Sequence, residues 1–205
     1  MAGMNEKKYS LALLDFDRTV TDRDSFVDFL LYNFGLTRLL GGFLSFSPAI
    51  ILYLTKTIPN WKLKEVALTH FFGGWNLEEF SRKCQNYSTE RLPKIIRPVA
   101  LERIDWHKQN GHRVVIVSAS ISQWLKGWCD KNKLGLIASE IEVINNKVTG
   151  KLLGKNCYGI EKVSRIKKEY NLADFGSIFA YTDSKSDWPM LELADEKYYR
   201  WKKTG

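Results

Sequence analysis

The pattern of apolar and polar residues along the chain predicts buried strands that alternate with helices. Residues 9–16 form an apolar run that ends in acidic residues, which is typical of a parallel strand buried on both faces. Residues 113–117 and 177–181 form two more such runs. Because helical segments separate these strands, the sequence predicts an α/β fold with a doubly wound, mainly parallel sheet and a ligand site at the carboxyl ends of its strands.

Capping residues and apolar spacing predict three helices and a hairpin in the second half of the chain. Pro98 suits the first position of a helix that ends near Gln109, before Asn110-Gly111. Two further helices are indicated by apolar residues on one helix face, at Ile121, Trp124, Leu125 and Trp128, and at Val163, Ile166 and Tyr170. Asn145-Asn146 tolerates positive φ and predicts a hairpin turn between strands at 140–144 and 147–153.

A long stretch rich in Phe, Leu and Trp separates the first two strands and is predicted to be an inserted, mostly helical segment. It contains 17 consecutive uncharged residues, 39–55, interrupted by Gly41, Gly42 and Pro48. A membrane span needs about 18 or more strongly apolar residues. We therefore expect a buried or substrate-facing helical segment and no stable membrane span; contact with a membrane is the alternative.

Charge, cysteine content and the first residues of the chain limit the expected partners, the kinds of metal or disulfide site and the cellular location. The 205 residues carry a formal charge of +8, which favours an anionic partner. Three cysteines, Cys84, Cys129 and Cys157, form no C-x-x-C pair, so the sequence does not support a disulfide framework or a zinc site. The first 17 residues show no signal-peptide pattern, and a reducing cytoplasm is the expected location.

Two pairs of carboxylates follow predicted strands. Asp15 and Asp17 face the same side if the chain stays extended, because alternate residues of a strand share a face. Asp183 and Asp187 follow the strand at 177–181. Carboxylates crowded at one sheet edge need a cation, and their oxygens are ligands that Mg²⁺ prefers. An ordinary acidic loop with a helix-capping Asp187 is the alternative.

Ser118 and Lys162 are candidates for binding an anion. Ser118 follows a predicted strand and precedes a predicted helix, whose free N–H groups attract anions, although Ser118 or Ser120 could simply cap that helix. Lys162 lies near a helix start, where the helix dipole disfavours a cation, so a phosphate or the carboxylates are expected beside it. A solvated Lys162, with Lys155 in its role, is the alternative.

Taken in this order, the four clusters resemble the haloacid dehalogenase (HAD) superfamily of phosphohydrolases. The matching segments are D-F-D-R-T-V-T at 15–21, V-S-A-S at 117–120, G-I-E-K at 159–162 and T-D-S-K-S-D at 182–187. Asp24-Ser25-Phe26 and D-W-P-M-L at 187–191 look most like the phosphoserine phosphatase-like branch. The resemblance implies a Rossmann-like core domain at 1–20 and 98–205, with a smaller helical cap domain at 21–97.

The resemblance also implies a role for each motif residue. Asp15 is the expected nucleophile, which forms an aspartyl-phosphate, and Asp17 is the expected general acid and base. The expected substrate-binding residues, which hold the phosphoryl oxygens, are Thr19, Ser118 and Lys162. The expected Mg²⁺ site consists of Asp15, Asp183 and the main-chain carbonyl of Asp17, supported by Asp187. Arg18 and Ser184 occupy positions where the family frequently has glycine.

The expected activity is therefore Mg²⁺-dependent hydrolysis of a small phosphorylated metabolite. A phosphotransferase or mutase with the same nucleophile is one alternative. Another is a non-enzymatic basic module that binds nucleic acid or anionic lipid, with basic groups at Lys167-Lys168 and Lys202-Lys203. No nucleic-acid motif accompanies these lysines, so nucleic acid is not an expected partner. They are interpreted as a solvated helix and tail.

Overall fold

A seven-stranded sheet forms the centre of the molecule in the computed structural model, which describes residues 9–204. The strands are β1 (Leu11–Leu14), β2 (Arg113–Ile121), β3 (Gly135–Ile144), β4 (Lys147–Leu153), β5 (Ile178–Thr182), β6 (Glu196–Tyr199) and β7 (Lys202–Lys203). Their order across the sheet is β4-β3-β2-β1-β5-β6-β7. Strands β3, β2, β1, β5 and β6 run parallel to one another. The two edge strands, β4 and β7, are antiparallel to their neighbours β3 and β6.

Eight α-helices flank or extend this sheet within the described part of the chain. They are α1 (Ser25–Ser45), α2 (Ser47–Leu54), α3 (Asn60–Phe72), α4 (Leu77–Asn86), α5 (Pro98–Gln109), α6 (Ser122–Lys131), α7 (Ile160–Glu169) and α8 (Trp188–Leu191). Apolar cores lie against both faces of the sheet: all four residues of β1 are fully buried, with Ala12 and Leu14 in one core and Leu11 and Leu13 in the other. The predicted α/β fold with a doubly wound, mainly parallel sheet is confirmed.

The inserted stretch between β1 and α5 is helical, as its composition predicts, and holds α1 to α4. Gly35 breaks α1 with a φ of 71° and a ψ of 170°, values that glycine adopts without strain. Aromatic side chains join this stretch to the sheet layer, since Phe29 of α1 stacks on Trp124 of α6 with ring centroids 4.8 Å apart. The boundary of a separate cap domain at 21–97 stays a prediction.

The second strand is longer than its apolar run. β2 continues through Ser118 and Ser120 to Ile121, and α6 starts only at Ser122. The expectation that Ser118 stands where strand meets helix is therefore wrong; a register shift between β2 and β3 occurs at this point instead. Small residues such as S-A-S have no strong strand preference, so the sequence gives little indication of this extension.

Two short strands at one edge were not predicted. β6 is half-buried, and β7 turns back to pair with it. Lys202 and Lys203, interpreted as part of a solvated tail, form β7, and the Lys203 ammonium lies 2.6 Å from the Glu196 carboxylate.

The uncharged stretch at 39–55 forms the end of α1 and all of α2. Leu39, Gly42 and Phe46 are buried, but no residue of α2 is buried. In the part of the chain that the structure describes, no single helix has the length and apolar character to cross a membrane; only α1 and α2 together do, and they are bent by 70°. Residues 1–8, on which part of the signal-peptide interpretation depends, lie outside the described residues.

Candidate active site

Asp15 occupies the first position after β1, and both of its oxygens have partners. Its Oδ1 accepts a hydrogen bond from Lys162 Nζ at 2.5 Å, and its Oδ2 accepts one from the Thr19 hydroxyl at 2.8 Å. The main-chain N–H of Asp15 donates to the Tyr181 carbonyl of β5, which fixes the end of the strand. Burial raises the pKa of Asp15 to about 7, although Lys162 opposes the shift.

Asp183 and Asp15 are linked by the Thr19 hydroxyl, which contacts both carboxylates. The main-chain N–H of Asp183 donates to Thr19 Oγ1 at 2.9 Å, and the same hydroxyl lies 3.3 Å from Asp183 Oδ1. Thr19 therefore contacts two carboxylates that are 168 positions apart, because β1 and β5 are parallel neighbours in the sheet. The predicted convergence of strand-end residues is visible here.

Lys162 lies between two carboxylates in the interior. Its Nζ is 2.5 Å from Asp15 Oδ1 and 2.7 Å from Asp187 Oδ2. Burial by itself would lower the pKa of Lys162, but the two carboxylates raise it above the ordinary value. The unfavourable position near the start of α7 is thus explained by carboxylate partners, whereas the alternative Lys155 is exposed.

Asp17 points to hydroxyl and backbone groups of two other elements. Its Oδ1 accepts from the Ser25 N–H at 2.6 Å, and its Oδ2 accepts from the Ser120 hydroxyl at 2.7 Å. Ser118 Oγ is 3.5 Å from the same oxygen and accepts from the Ser120 N–H at 2.9 Å. The start of α1 and the end of β2 therefore hold the Asp17 carboxylate in place.

A cavity of about 940 Å³ opens over these side chains. Asp15, Asp17, Lys162, Asp183 and Asp187 line it, whereas Thr19 and Ser118 are buried behind the lining. Of the three predicted substrate-binding residues, only Lys162 therefore faces the cavity.

The predicted metal ligands are carboxylates, which suit Mg²⁺. In this structure their oxygens contact the Lys162 ammonium and the Thr19 hydroxyl. Asp187 Oδ1 is buried without a hydrogen-bond partner, and such a carboxylate oxygen suits a hard cation. Within residues 9–204, no three His, Cys, Asp or Glu side chains stand together as a ready metal site. The residues present thus fit Mg²⁺ by donor type, and the ligand set stays a prediction.

A comparison with protein families agrees with this arrangement. The model for haloacid dehalogenase-like hydrolases matches residues 12–192, which include every motif residue discussed above. The chain belongs to the haloacid dehalogenase-like hydrolase family.

Individual proteins are similar to this HAD-like hydrolase in sequence or in fold. Protein CicA of Caulobacter vibrioides is 31% identical over 198 residues, covering 93% of this chain and 85% of CicA. A Bordetella pertussis protein of unknown function has a similar structure, with a TM-score of 0.80, 20% identity and coverage of 94% and 90%. A probable phosphoserine phosphatase from Vibrio cholerae has a TM-score of 0.70 and 18% identity, covering 95% of this chain and 57% of that one. The solved structures show a shared fold.

Arg18 and Ser184, which stand where the family frequently has glycine, differ in their backbone conformation. Arg18 has a φ of 63°, in the left-handed region that glycine adopts freely, and it is exposed at the cavity. Ser184 has an extended backbone with a φ of −107°, so its side chain adds no strain. Residues with such backbone conformations are concentrated at functional sites, and Arg18 is one of the residues that line this cavity.

Three residues of the HAD-like site were missed as functional contributors from the sequence. Ser25 and Ser120 hold Asp17, although each was noted only as part of a motif or as a cap. Lys64 of α3 reaches the cavity and donates to the Ala119 carbonyl at 2.9 Å, and burial lowers the pKa of its ammonium. Nothing in the local pattern around Lys64 distinguishes it from other surface lysines.

Proposed function

We propose that this hydrolase cleaves phosphate monoesters through an aspartyl-phosphate formed on Asp15. The observation that supports the proposal is the position of Asp15 at the end of β1, lining a cavity, with Lys162 on one oxygen and Thr19 on the other. A buried lysine beside the nucleophile offsets charge as a phosphoryl group arrives.

The reaction divides into two displacement steps. In the first, an Asp15 oxygen bonds to phosphorus while the bond from phosphorus to the ester oxygen breaks, and Asp17 gives its proton to the departing oxygen. In the second, Asp17 takes a proton from water, whose oxygen attacks phosphorus. Inorganic phosphate leaves, and Asp15 is regenerated as a carboxylate.

Asp17 is well placed for both proton transfers because its carboxylate cannot swing freely. Ser25 N–H and the Ser120 hydroxyl hold its two oxygens at 2.6 and 2.7 Å. General acid catalysis depends on such positioning and contributes about 10²- to 10⁴-fold to the rate.

We also propose that Mg²⁺ is the cofactor, held by Asp15, Asp183 and the Asp17 carbonyl with Asp187 in support. When bound, it would withdraw charge from the phosphoryl oxygens. The partnerless Asp187 Oδ1 and the presence of Asp15, Asp17, Asp183 and Asp187 in one cavity lining support this part of the proposal.

The test is hydrolysis of p-nitrophenyl phosphate by the wild-type chain and by Asp15→Asn. We expect at least about a 10³-fold loss of kcat in the variant, because an amide is a poor nucleophile. Asp105→Asn, which changes an exposed carboxylate on α5, is the control and should keep full activity. Activity should also stop on addition of EDTA and return with Mg²⁺.

Substantial activity in Asp15→Asn would overturn the assignment of the nucleophile. Product analysis in the presence of added alcohols separates hydrolysis from phosphoryl transfer: a hydrolase releases inorganic phosphate, whereas a transferase yields a new phosphate ester.

A further inference from the structure

The cavity that contains Asp15 has a second, apolar end. Its lining continues from the carboxylates to hydrophobic side chains of the inserted helices: Phe43, Phe46, Ile50, Tyr53, Leu54 and Leu63. A small polar metabolite has no groups to place against such a wall. A phosphate monoester with a hydrocarbon tail does, since burying its chain removes apolar surface from water.

The same helices also carry exposed apolar residues outside the cavity lining. Leu44 is 77% exposed and Ile51 is 60% exposed, and Leu36, Leu40 and Leu52 are exposed as well. Leu54, which lines the cavity, is itself 71% exposed. Exposed apolar residues that are grouped along one helical segment are typical of an interaction site. We name residues 36–54 the apolar hairpin, since α1 and α2 meet in it at an angle of 70°.

The charged residues in the sequence segment that contains the apolar hairpin are all basic. No acidic residue occurs from position 29 to position 64, while Arg38, Lys56 and Lys62 are exposed there. The cavity lining holds five aspartates, and its exposed charged residues are the basic Arg18, Lys185 and Arg200. Basic residues that flank an apolar helical surface favour the interface of an anionic bilayer, where Trp and Tyr side chains such as the exposed Trp61 also settle.

We propose that the apolar hairpin docks on an anionic lipid bilayer and that the substrate is a lipid phosphate monoester drawn from it. This inference rests on the proposed phosphatase activity and replaces the expected small metabolite with a membrane-resident ester. The tail lies against the apolar end of the cavity, and the phosphate reaches Asp15. The ester bond of the lipid breaks, Asp17 protonates the lipid oxygen, and the lipid alcohol returns to the bilayer.

Two substrates with the same phosphate test the role of the tail. Phosphatidic acid in vesicles of phosphatidylcholine and phosphatidylglycerol carries a diacyl tail, and glycerol 3-phosphate carries none. We expect at least a 100-fold higher kcat/KM for the vesicle substrate. An equal or lower value would overturn the inference, and Asp15-dependent hydrolysis of p-nitrophenyl phosphate in the same preparation would show that the proposed function still stands.

A pair of variants tests the docking surface. Leu44→Asp/Ile51→Asp places two charges on exposed positions of the apolar hairpin outside the cavity lining. We expect at least a tenfold loss of co-sedimentation with the anionic vesicles and of phosphatidic acid hydrolysis, with p-nitrophenyl phosphate hydrolysis within twofold of wild type. The control is Val99→Asp/Leu101→Asp, since both residues are exposed apolar positions on α5. Equal loss of binding in both variants would refute the assignment of this surface.

Discussion

Lys162 shows how a single buried cation sets the character of this site. It has an exposed fraction of 1% and contacts two carboxylates, so its removal leaves Asp15 and Asp187 buried together without a positive partner. Removing one partner from a buried ion pair costs about 3–5 kcal/mol. In EDTA, we expect Lys162→Met to lower the free energy of unfolding by about that amount in a urea titration.

Lys155→Met is the matched control, because Lys155 is the exposed lysine that the sequence offered as an alternative. Its free energy of unfolding should stay within about 0.5 kcal/mol of wild type, as for most surface substitutions. Equal stability of the two variants would contradict the picture of a carboxylate pair that depends on Lys162.

His107 of α5 gives the fold a pH dependence away from the active site. Its Nε2 lies 2.8 Å from the Tyr181 hydroxyl and its Nδ1 lies 2.8 Å from Nδ1 of His112. Burial, aided by the charges of His112 and Arg103, lowers the pKa of His107 to about 3. The unfolded chain, with a histidine pKa near 6.5, then binds a proton that the folded chain resists.

The stabilising contribution of a neutral His107 is therefore complete above about pH 6.5 and is lost as the pH falls toward 3. Between pH 7 and pH 5 the free energy of unfolding should fall by up to about 2 kcal/mol more in wild type than in His107→Gln. Urea titrations at both pH values measure this difference, with the exposed His70→Gln as control. Identical pH slopes for wild type and His107→Gln would contradict the role of His107.

At the scale of elements, the contact between α3 and β4 depends on one glycine. Gly150 has a φ of 86°, and a Cβ there would overlap the Thr69 Cα of α3. Gly150→Ala therefore forces either α3 or β4 to move, and we expect a loss of more than about 2 kcal/mol in the free energy of unfolding. Thermal unfolding followed by circular dichroism measures it.

Gly154→Ala separates the clash from backbone strain. Gly154 also has a positive φ, 76°, but a Cβ there meets nothing within 4 Å. Its replacement should lose only about 1 kcal/mol, which is the usual penalty for a left-handed alanine. If both variants lost the same amount, the close approach of α3 to β4 would not matter for stability.

Elements whose signals are local could be predicted from the sequence. Pro98 marks the start of α5, and Asn145-Asn146, with φ values of 50° and 59°, forms the predicted turn between β3 and β4. β6 could not be predicted, because its residues Glu196–Tyr199 are all half-buried and show no alternation. The exposure of α2 could not be predicted either, because an apolar helix gives the same local pattern whether a protein core or another partner covers it.

At the scale of the whole molecule, the carboxylates and the lysine of the site could be predicted from the sequence. The residues that hold these side chains in place could not. Residues that end parallel strands must converge at one sheet edge, so Asp15 and Asp183 could be grouped from their order alone. Lys162 was assigned to the same site from its unfavourable position near a helix start and from the family resemblance. Ser25 and Lys64 come from helices of the insertion, whose packing against the sheet no local rule determines.

One apolar core connects the insertion to the sheet layer, which predicts a single unfolding transition. Phe29 and Phe72 of the insertion stack with ring centroids 5.4 Å apart, and Phe29 also stacks on Trp124, in the same cluster as Ile116 of β2. Because this shared core disappears if either part unfolds, neither part retains its stability alone. Urea unfolding followed by tryptophan fluorescence and by far-ultraviolet circular dichroism should therefore give coincident curves.

The variant Phe29→Ala tests the single transition more strictly, since it removes a fully buried ring from the core shared by the insertion and the sheet. It should lower the free energy of unfolding by about 3–5 kcal/mol and move both curves to the same lower midpoint. Val27→Ala, at an exposed position on the same helix, should leave the midpoint nearly unchanged. Separate midpoints for the two signals in Phe29→Ala would instead mean that residues 21–97 unfold as a unit of their own. Coincident midpoints that both shift mean that the insertion and the sheet stabilise each other through their shared aromatic core.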